Sequence, residues 1–554
     1  MQKINWKSIA FTTIVSAVAV MSPSLASANW SVYKLNEIAG DGHYADAALG
    51  VNAYNAIAGM GFNGTSTMSY TGITGGPNTN TSFFSPPSNW NAIQWNALND
   101  DGITVGYYTI GGVETAVRYQ PGSSPNNLVA GLSQVLVSNG VGINHNGMVV
   151  GSYRQNGNNG GTFHMFRWDP SSKTRTGDWL NYIPGGINEN GWMAAQNIKP
   201  TNYYQLLELA LVPPTGSPTI VTAPGFYTYM QPSSISTGSG IIVVGDMHSY
   251  IQNNSDTYAS GFVYSKATNT WQMLNGPGGN PIETHALAVD QGGTRVAGYT
   301  ADNVGNQTAA VWEYTGGQWV ETDVPSLVPS DSTWRYDEAT SISPTGSISG
   351  WGMHHEGDLW VQRAFVLTPT DQLRISAVEG GIFAGDIVSP TVSMMSSDVF
   401  TLDVNLGSSS RIVKVPGGIR IPGGQTSAKF NLQSDGVDSR TTVEITASLG
   451  GADFVQQYLL LPAVFSAMTL QPDSRDAGGT GTLTLRGLAG PSGVVVNLTS
   501  SDRRVSVPSS VKIGYDQGGT SFSIRGSSDI PKGTVVTITA TYGNVTISQP
   551  YTVA

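Results

Sequence analysis

The chain has 554 residues, no cysteine, 11% charged residues and a net charge of −11. Without cysteine it forms neither a disulfide nor a thiolate metal site. Lys and Arg gather in no run, which excludes binding to nucleic acid or an anionic membrane surface through concentrated positive charge.

At the N-terminus, Lys3 and Lys7 precede an uncharged apolar run over 8–21, then Pro23 and the small-x-small triplet Ala26-Ser27-Ala28. This is the three-part pattern of a cleaved signal peptide (1–28), and the run is too short to span a bilayer. The mature chain is therefore expected to be secreted or displayed at the cell surface. No later stretch reaches the ~18 apolar residues of a membrane helix, so no span is expected. The 68 glycines, with abundant Asn, Ser and Thr among recurring Val, Ile, Tyr and Trp, suit a turn-rich all-β protein.

One short pattern then recurs seven times, starting at Val51, Leu98, Ile143, Ile187, Ile235, Val289 and Ile342, at spacings of 44 to 54 residues. It reads aliphatic, Asn/Ser/Asp, two variable residues, Gly or Asn, a Val/Ile-rich triplet, then Gly or Ala. Asn or Asp followed by Gly supplies residues tolerant of positive φ, as a tight hairpin needs. The closing Gly admits close approach of neighbouring backbone. A further strand follows each hairpin, as in Ala116-Val117-Arg118-Tyr119 and Met165-Phe166-Arg167-Trp168. Four short strands in each unit match a propeller blade, so residues 29–371 are expected to form a seven-bladed β-propeller. The opening segment 30–35 is expected to close the ring beside the last blade.

The pattern resembles the HAF-repeat family of secreted bacterial proteins, in which such a turn is followed by a His-Ala-Phe-like tripeptide and an aromatic. The copy from Ile143, followed by His164-Met165-Phe166-Arg167-Trp168, is the nearest; Arg363-Ala364-Phe365 keeps two of the three letters. In the fourth copy Ala194-Ala195 replace the usual Val-Gly. The resemblance implies a fold and no particular activity.

After Pro369 a second self-similarity begins. RIVKVPGGIRIPGGQTSAKFNLQ from Arg411 matches RRVSVPSSVKIGYDQGGTSFSIRG from Arg503, and the segments from Thr441 and Thr534 match each other. Alternating short strands with frequent turns predict two β-sandwiches, 372–465 and 466–554. They resemble bacterial Ig-like modules, which implies spacers or binding platforms.

Candidate chemistry is sparse. His145 and His164 fall in one repeat and would form an acid/base pair if they met, although both also suit turn and packing positions. Asp41 and Asp46 are candidate oxygen ligands for Ca²⁺, and His354 with Asp358 a candidate divalent-metal pair. The adjacent His354 and His355 should point to opposite faces of a strand, which disfavours joint ligation. Trp95, Trp192, Trp334 and Trp351 are candidates for stacking on sugar rings, against the alternative of packing between blades. The preferred expectation is a non-enzymatic protein binding extracellular glycan or a surface protein through propeller loops, with no cofactor. A propeller polysaccharide lyase or hydrolase using His145 or His164 is the alternative, and a structural envelope or matrix component the third.

Overall fold

A computed structural model describes residues 33–37, 44–62, 67–73, 90, 92–156, 161–198, 208–224, 227–238, 240–250, 257–276, 283–370, 372–394, 398, 400–450, 452–473 and 478–554. The chain is all-β: among these residues the only helical element is a short 3-10 turn at Val324–Leu327. No helix among them is long and apolar enough to cross a membrane.

Up to Pro369 the described strands form seven antiparallel sheets, taken here as sheets 1 to 7 and spanning 44–73, 92–127, 135–180, 182–222, 227–273, 283–323 and 334–369. Within each sheet the strands pair in chain order. Sheet 1 has three described strands and sheets 2 to 6 have four. Sheet 7 has three strands of its own and takes its fourth from the start of the chain, Tyr33–Glu37, which pairs antiparallel with Leu359–Pro369 in the register Tyr33 to Pro369. The closing role expected of the opening segment is thus met by its described part.

The first strand of each sheet touches the first strand of the next, and that of sheet 7 touches that of sheet 1. The hydrophobic cores follow the same cycle. Each lies between two consecutive sheets: Ala58 of sheet 1 packs with Trp95 and Val117 of sheet 2, and Val150 and Met165 of sheet 3 pack with Met193 and Val212 of sheet 4. The cycle closes where Ala48 and Ile57 of sheet 1 meet Ala364 and Val366 of sheet 7. Interior strands are consequently covered on both faces. Val149 faces the core shared with sheet 2, and Val150 the core shared with sheet 4. This is why Met148-Val149-Val150, leading into that strand, reads as an unbroken apolar run rather than an alternation.

Beyond Pro369 two further units follow, each about its own core: the first has sheets of three, five and two strands, the second two sheets of four. In the first unit the strands Gly418–Ile421, Leu402–Ser408, Thr441–Leu449 and Ala452–Leu461 lie side by side; in the second, Ser510–Ile513, Val494–Ser500, Val535–Tyr542 and Val545–Thr552 repeat that order. The internal repeat of the sequence is therefore also a repeat of topology.

Candidate functional site

The repeated hairpin turns gather at one end of the first strands. Glycine takes the positive-φ place in most of them, at Gly102, Gly147, Gly191, Gly293 and Gly346, and Asn55 does so in the first copy with φ 60°. The two extra residues of the fifth copy shift the burden to Ile241, at φ 40°, an unusual conformation for a β-branched residue.

The Asn/Ser/Asp letter does more than shape the turn. Asn99 Oδ1 accepts from the backbone N–H groups of Asp101 and Ile103, while its Nδ2 donates to the carbonyls of Asn144 and His145 in the next sheet. Asn52 donates in the same way to Asn99 O, Asn144 to Asn188 O, and Asn188 to Ser236 O. Each amide thus caps its own turn and ties it to the following one, which needs donor and acceptor in one side chain. The fifth and seventh copies carry Ser236 and Ser343, and the sixth carries Asp290. The seventh turn is tied to the first by Ser347 Oγ, which donates to Asn55 Oδ1, and by Thr345 Oγ1, which donates to Ala53 O.

This turn end is where the first C-terminal unit touches the seven sheets. Ala53 joins that unit's core, Tyr54 Oη accepts from Asp403 N at 3.3 Å, and Gln372 Nε2 donates to Thr345 Oγ1 at 2.6 Å. The Phe400 ring stacks on His145 with centroids 3.7 Å apart. His145 also lies 3.8 Å from Asp100 Oδ2, and its backbone N–H donates to Glu189 Oε2. The Asp100 carboxylate holds the His145 pKa up, and burial pushes the Glu189 carboxyl up to about 7.

Further along the first strands a second layer appears. Each first strand carries a β-bulge, and in sheets 2, 5, 6 and 7 its carbonyl there lies over the closing glycine of the repeat. A Cβ on Gly106 would lie 1.8 Å from Gln94 O; on Gly245, 2.1 Å from Gln231 O; on Gly298, 1.8 Å from His285 O; on Gly350, 1.9 Å from Glu338 O. Only glycine gives that clearance. At this level Gln94, Gln231, His285 and Glu338 on first strands are half-buried, as are Tyr107, Asp246, Tyr299 and Trp351 just after the closing glycines. They are also bonded to one another. Tyr107 Oη donates to Gln94 Oε1, and Trp351 Nε1 donates to Glu338 Oε2, both at 3.1 Å.

The densest part of the layer spans sheets 5 to 7. Asp246 Oδ2 lies 2.7 Å from His285 Nδ1, and its Oδ1 accepts from Ala286 N at 2.9 Å. Both oxygens of Asp246 are thus committed, and they fix the ring. The Tyr299 ring stacks on His285 with centroids 4.3 Å apart and planes 13° from parallel. Burial, then the Glu338 and Asp246 carboxylates, push the Tyr299 phenol well above its ordinary range. Burial likewise pushes the Glu338 carboxyl up. Sequence reasoning missed this cluster, because Asp246 and His285 sit in different repeats and neither belongs to the turn pattern.

The residues singled out from the sequence are dispersed. His145 lies at the turn end. His164 lies opposite Tyr153 on the neighbouring strand, stacked on it at 4.6 Å, with Nδ1 2.8 Å from Asp178 Oδ1. Tyr153 is four residues from Val149 at the turn, about 13 Å at the rise of a strand, so His145 and His164 do not form an acid/base pair. Trp95 and Trp334 are buried, at 0% and 7% exposure, and pack between sheets, so neither presents a free face to a sugar. Trp192 lies under Lys266, 4.6 Å from the ring centroid, and Trp351 belongs to the polar layer. His354 stacks on Trp334 while His355 meets Trp360 edge-on, so the two histidines do diverge. Asp358 is exposed in a hairpin, and Asp46 sits at the first bulge, where burial raises its carboxyl to about 6. Asp41 lies outside the described residues. Among the described residues no three His, Asp or Glu side chains gather as a metal site.

No family model and no curated protein matches this sequence. Solved structures resemble it at low similarity. TolB from Acinetobacter baumannii is 10% identical with a TM-score of 0.31, covering 49% of this chain and 64% of its own. The β-propeller domain of the Trilobed protease from Pyrococcus furiosus is 9% identical with a TM-score of 0.33, covering 60% of this chain and 89% of its own. The polysaccharide lyase Uly1 is 9% identical with a TM-score of 0.26, covering 74% of this chain and 93% of its own.

Proposed function

We propose that the chain is an exported recognition protein: a seven-bladed β-propeller of the HAF-repeat kind that binds extracellular glycan, carried on two Ig-like modules. The closed cycle of first strands and inter-sheet cores supports the propeller reading. The separate cores and shared strand order of the two C-terminal units support the modular one. The signal-peptide pattern supports export.

The observation that carries the binding reading is the half-buried polar layer. It offers amide, phenol and indole groups already held by partners, the mixture a sugar needs for hydrogen bonding on its edges and stacking on its faces. The first C-terminal unit meets the turn end, so ligand is expected to enter from the opposite end. Neutral glycan suits the layer better than acidic glycan, because Asp246 and Glu338 are part of it. The test is titration calorimetry against neutral and acidic oligosaccharides, with Trp351→Ala and Gln94→Ala as variants. Binding to a neutral glycan, weakened at least tenfold in Trp351→Ala with melting unchanged, is the expected result. Binding unaffected by both variants would remove this layer as the site.

A further inference from the structure

We propose that Asp246, His285 and Tyr299 form a hydrolytic centre that cleaves acyl esters carried on such a glycan. The proposal rests on the glycan reading for its substrate class; the chemistry rests on the cluster itself.

Asp246 holds His285 by Nδ1, which leaves Nε2 as the proton acceptor of the neutral ring. Nε2 has no hydrogen-bond partner among the described residues, and the His285 side chain is 12% exposed. Tyr299 is directly opposite His285 in the strand register, so the two side chains leave the same face. The phenol is the longer of the two side chains. Its high pKa keeps that hydroxyl a donor across the physiological range.

A base and a neutral donor side by side suit attack by water on a carbonyl. His285 Nε2 takes a proton from water as the water oxygen bonds to the acyl carbon. The carbonyl oxygen becomes an oxyanion and accepts a hydrogen bond from Tyr299 Oη. The intermediate collapses with cleavage of the acyl C–O bond, and the departing sugar oxygen takes the proton from the His285 imidazolium. The products are a carboxylic acid and a free sugar hydroxyl, with water the only co-reactant. Eliminative cleavage of a uronate polymer fits less well: Glu338, Asp246 and Glu283 all lie within electrostatic reach of Tyr299 and would repel a polyanion.

The test measures acetate release from an O-acetylated neutral polysaccharide, hydrolysis of 4-nitrophenyl acetate, and binding of the deacetylated polysaccharide, for the full chain and three variants. His285→Asn is expected to lower both hydrolytic rates about 100-fold or more while binding persists. Asp246→Asn should shift the acidic limb of the pH–rate profile, where the base must be free of its proton, which a merely structural Asp246 would leave in place. Tyr299→Phe should lower kcat with KM little changed. Binding without acetate release overturns the catalytic proposal and leaves the glycan reading standing. Hydrolysis of the small ester that depends on His285, without polysaccharide binding, keeps the centre and overturns the glycan reading. Hydrolysis equal in wild type and His285→Asn overturns the centre.

Discussion

Replacing Asn99 by Asp isolates one link of the turn-to-turn circuit. The substitution is nearly isosteric and keeps the oxygen that accepts from Asp101 N and Ile103 N. It removes the amide that donates to Asn144 O at 3.2 Å and His145 O at 3.1 Å, and sets a carboxylate oxygen against those two carbonyls. Each lost neutral hydrogen bond is worth about 1 kcal/mol, and desolvated acceptors left facing one another add about as much again, so a total near 3 kcal/mol is expected. The site is only 5% exposed, so water relieves little of this. Every tryptophan precedes Pro369. Intrinsic fluorescence in a urea titration therefore reports on the seven sheets without interference from the C-terminal units. The deficit should shrink on acidification, because the introduced carboxyl regains a donor when protonated. Asp290→Asn is the matched control: Asp290 Oδ2 accepts from Thr294 Oγ1, a bond an amide can replace by reversing donor and acceptor, so a change under about 1 kcal/mol is expected. An Asn99→Asp protein as stable as wild type would refute the account of the repeated asparagine.

Gly298→Ala should cost about 3 kcal/mol and disturb the His285 bulge, since its Cβ would meet His285 O at 1.8 Å; thermal melting of the variant checks this. The contact between the turn end and the first C-terminal unit should weaken as pH rises. The Glu189 carboxyl stands at about 7 against an ordinary 4.5, and His145 stands above its ordinary 6.5, so both groups favour the protonated form in the folded protein. Their contribution is full below about pH 4.5 and is lost as pH rises through 7. Hydrogen exchange at the His145 and Ala53 amides, corrected for intrinsic rates, should show less protection at pH 8 than at pH 5, and Glu189→Gln should flatten the difference.

What was legible in the sequence is what each repeat does for itself. Asn55 and the turn glycines announce positive φ, and the closing glycines announce close approach, because both requirements are local to one hairpin. What one repeat does for the next was not legible. The amide of Asn99 finds its acceptors 45 residues away or more, and Asp246 finds His285 39 residues on. The first separation equals one repeat spacing but does not say which side chain bridges the repeats, the second matches no repeat spacing, and only the stacking of sheets reveals the contacts. The tryptophans show the same limit. Trp95 and Trp351 both follow ordinary strand patterns, yet one is sealed between sheets and the other lines the polar layer.

The pairing of Tyr33–Glu37 with Leu359–Pro369 has a kinetic consequence. A chain delivered N-terminus first presents its closing strand at the outset, but that strand has no partner until the seventh sheet has emerged. The cycle cannot be completed in instalments, and formation of its most distant contact comes late. Such a cycle becomes resistant to unravelling only once its two ends have met.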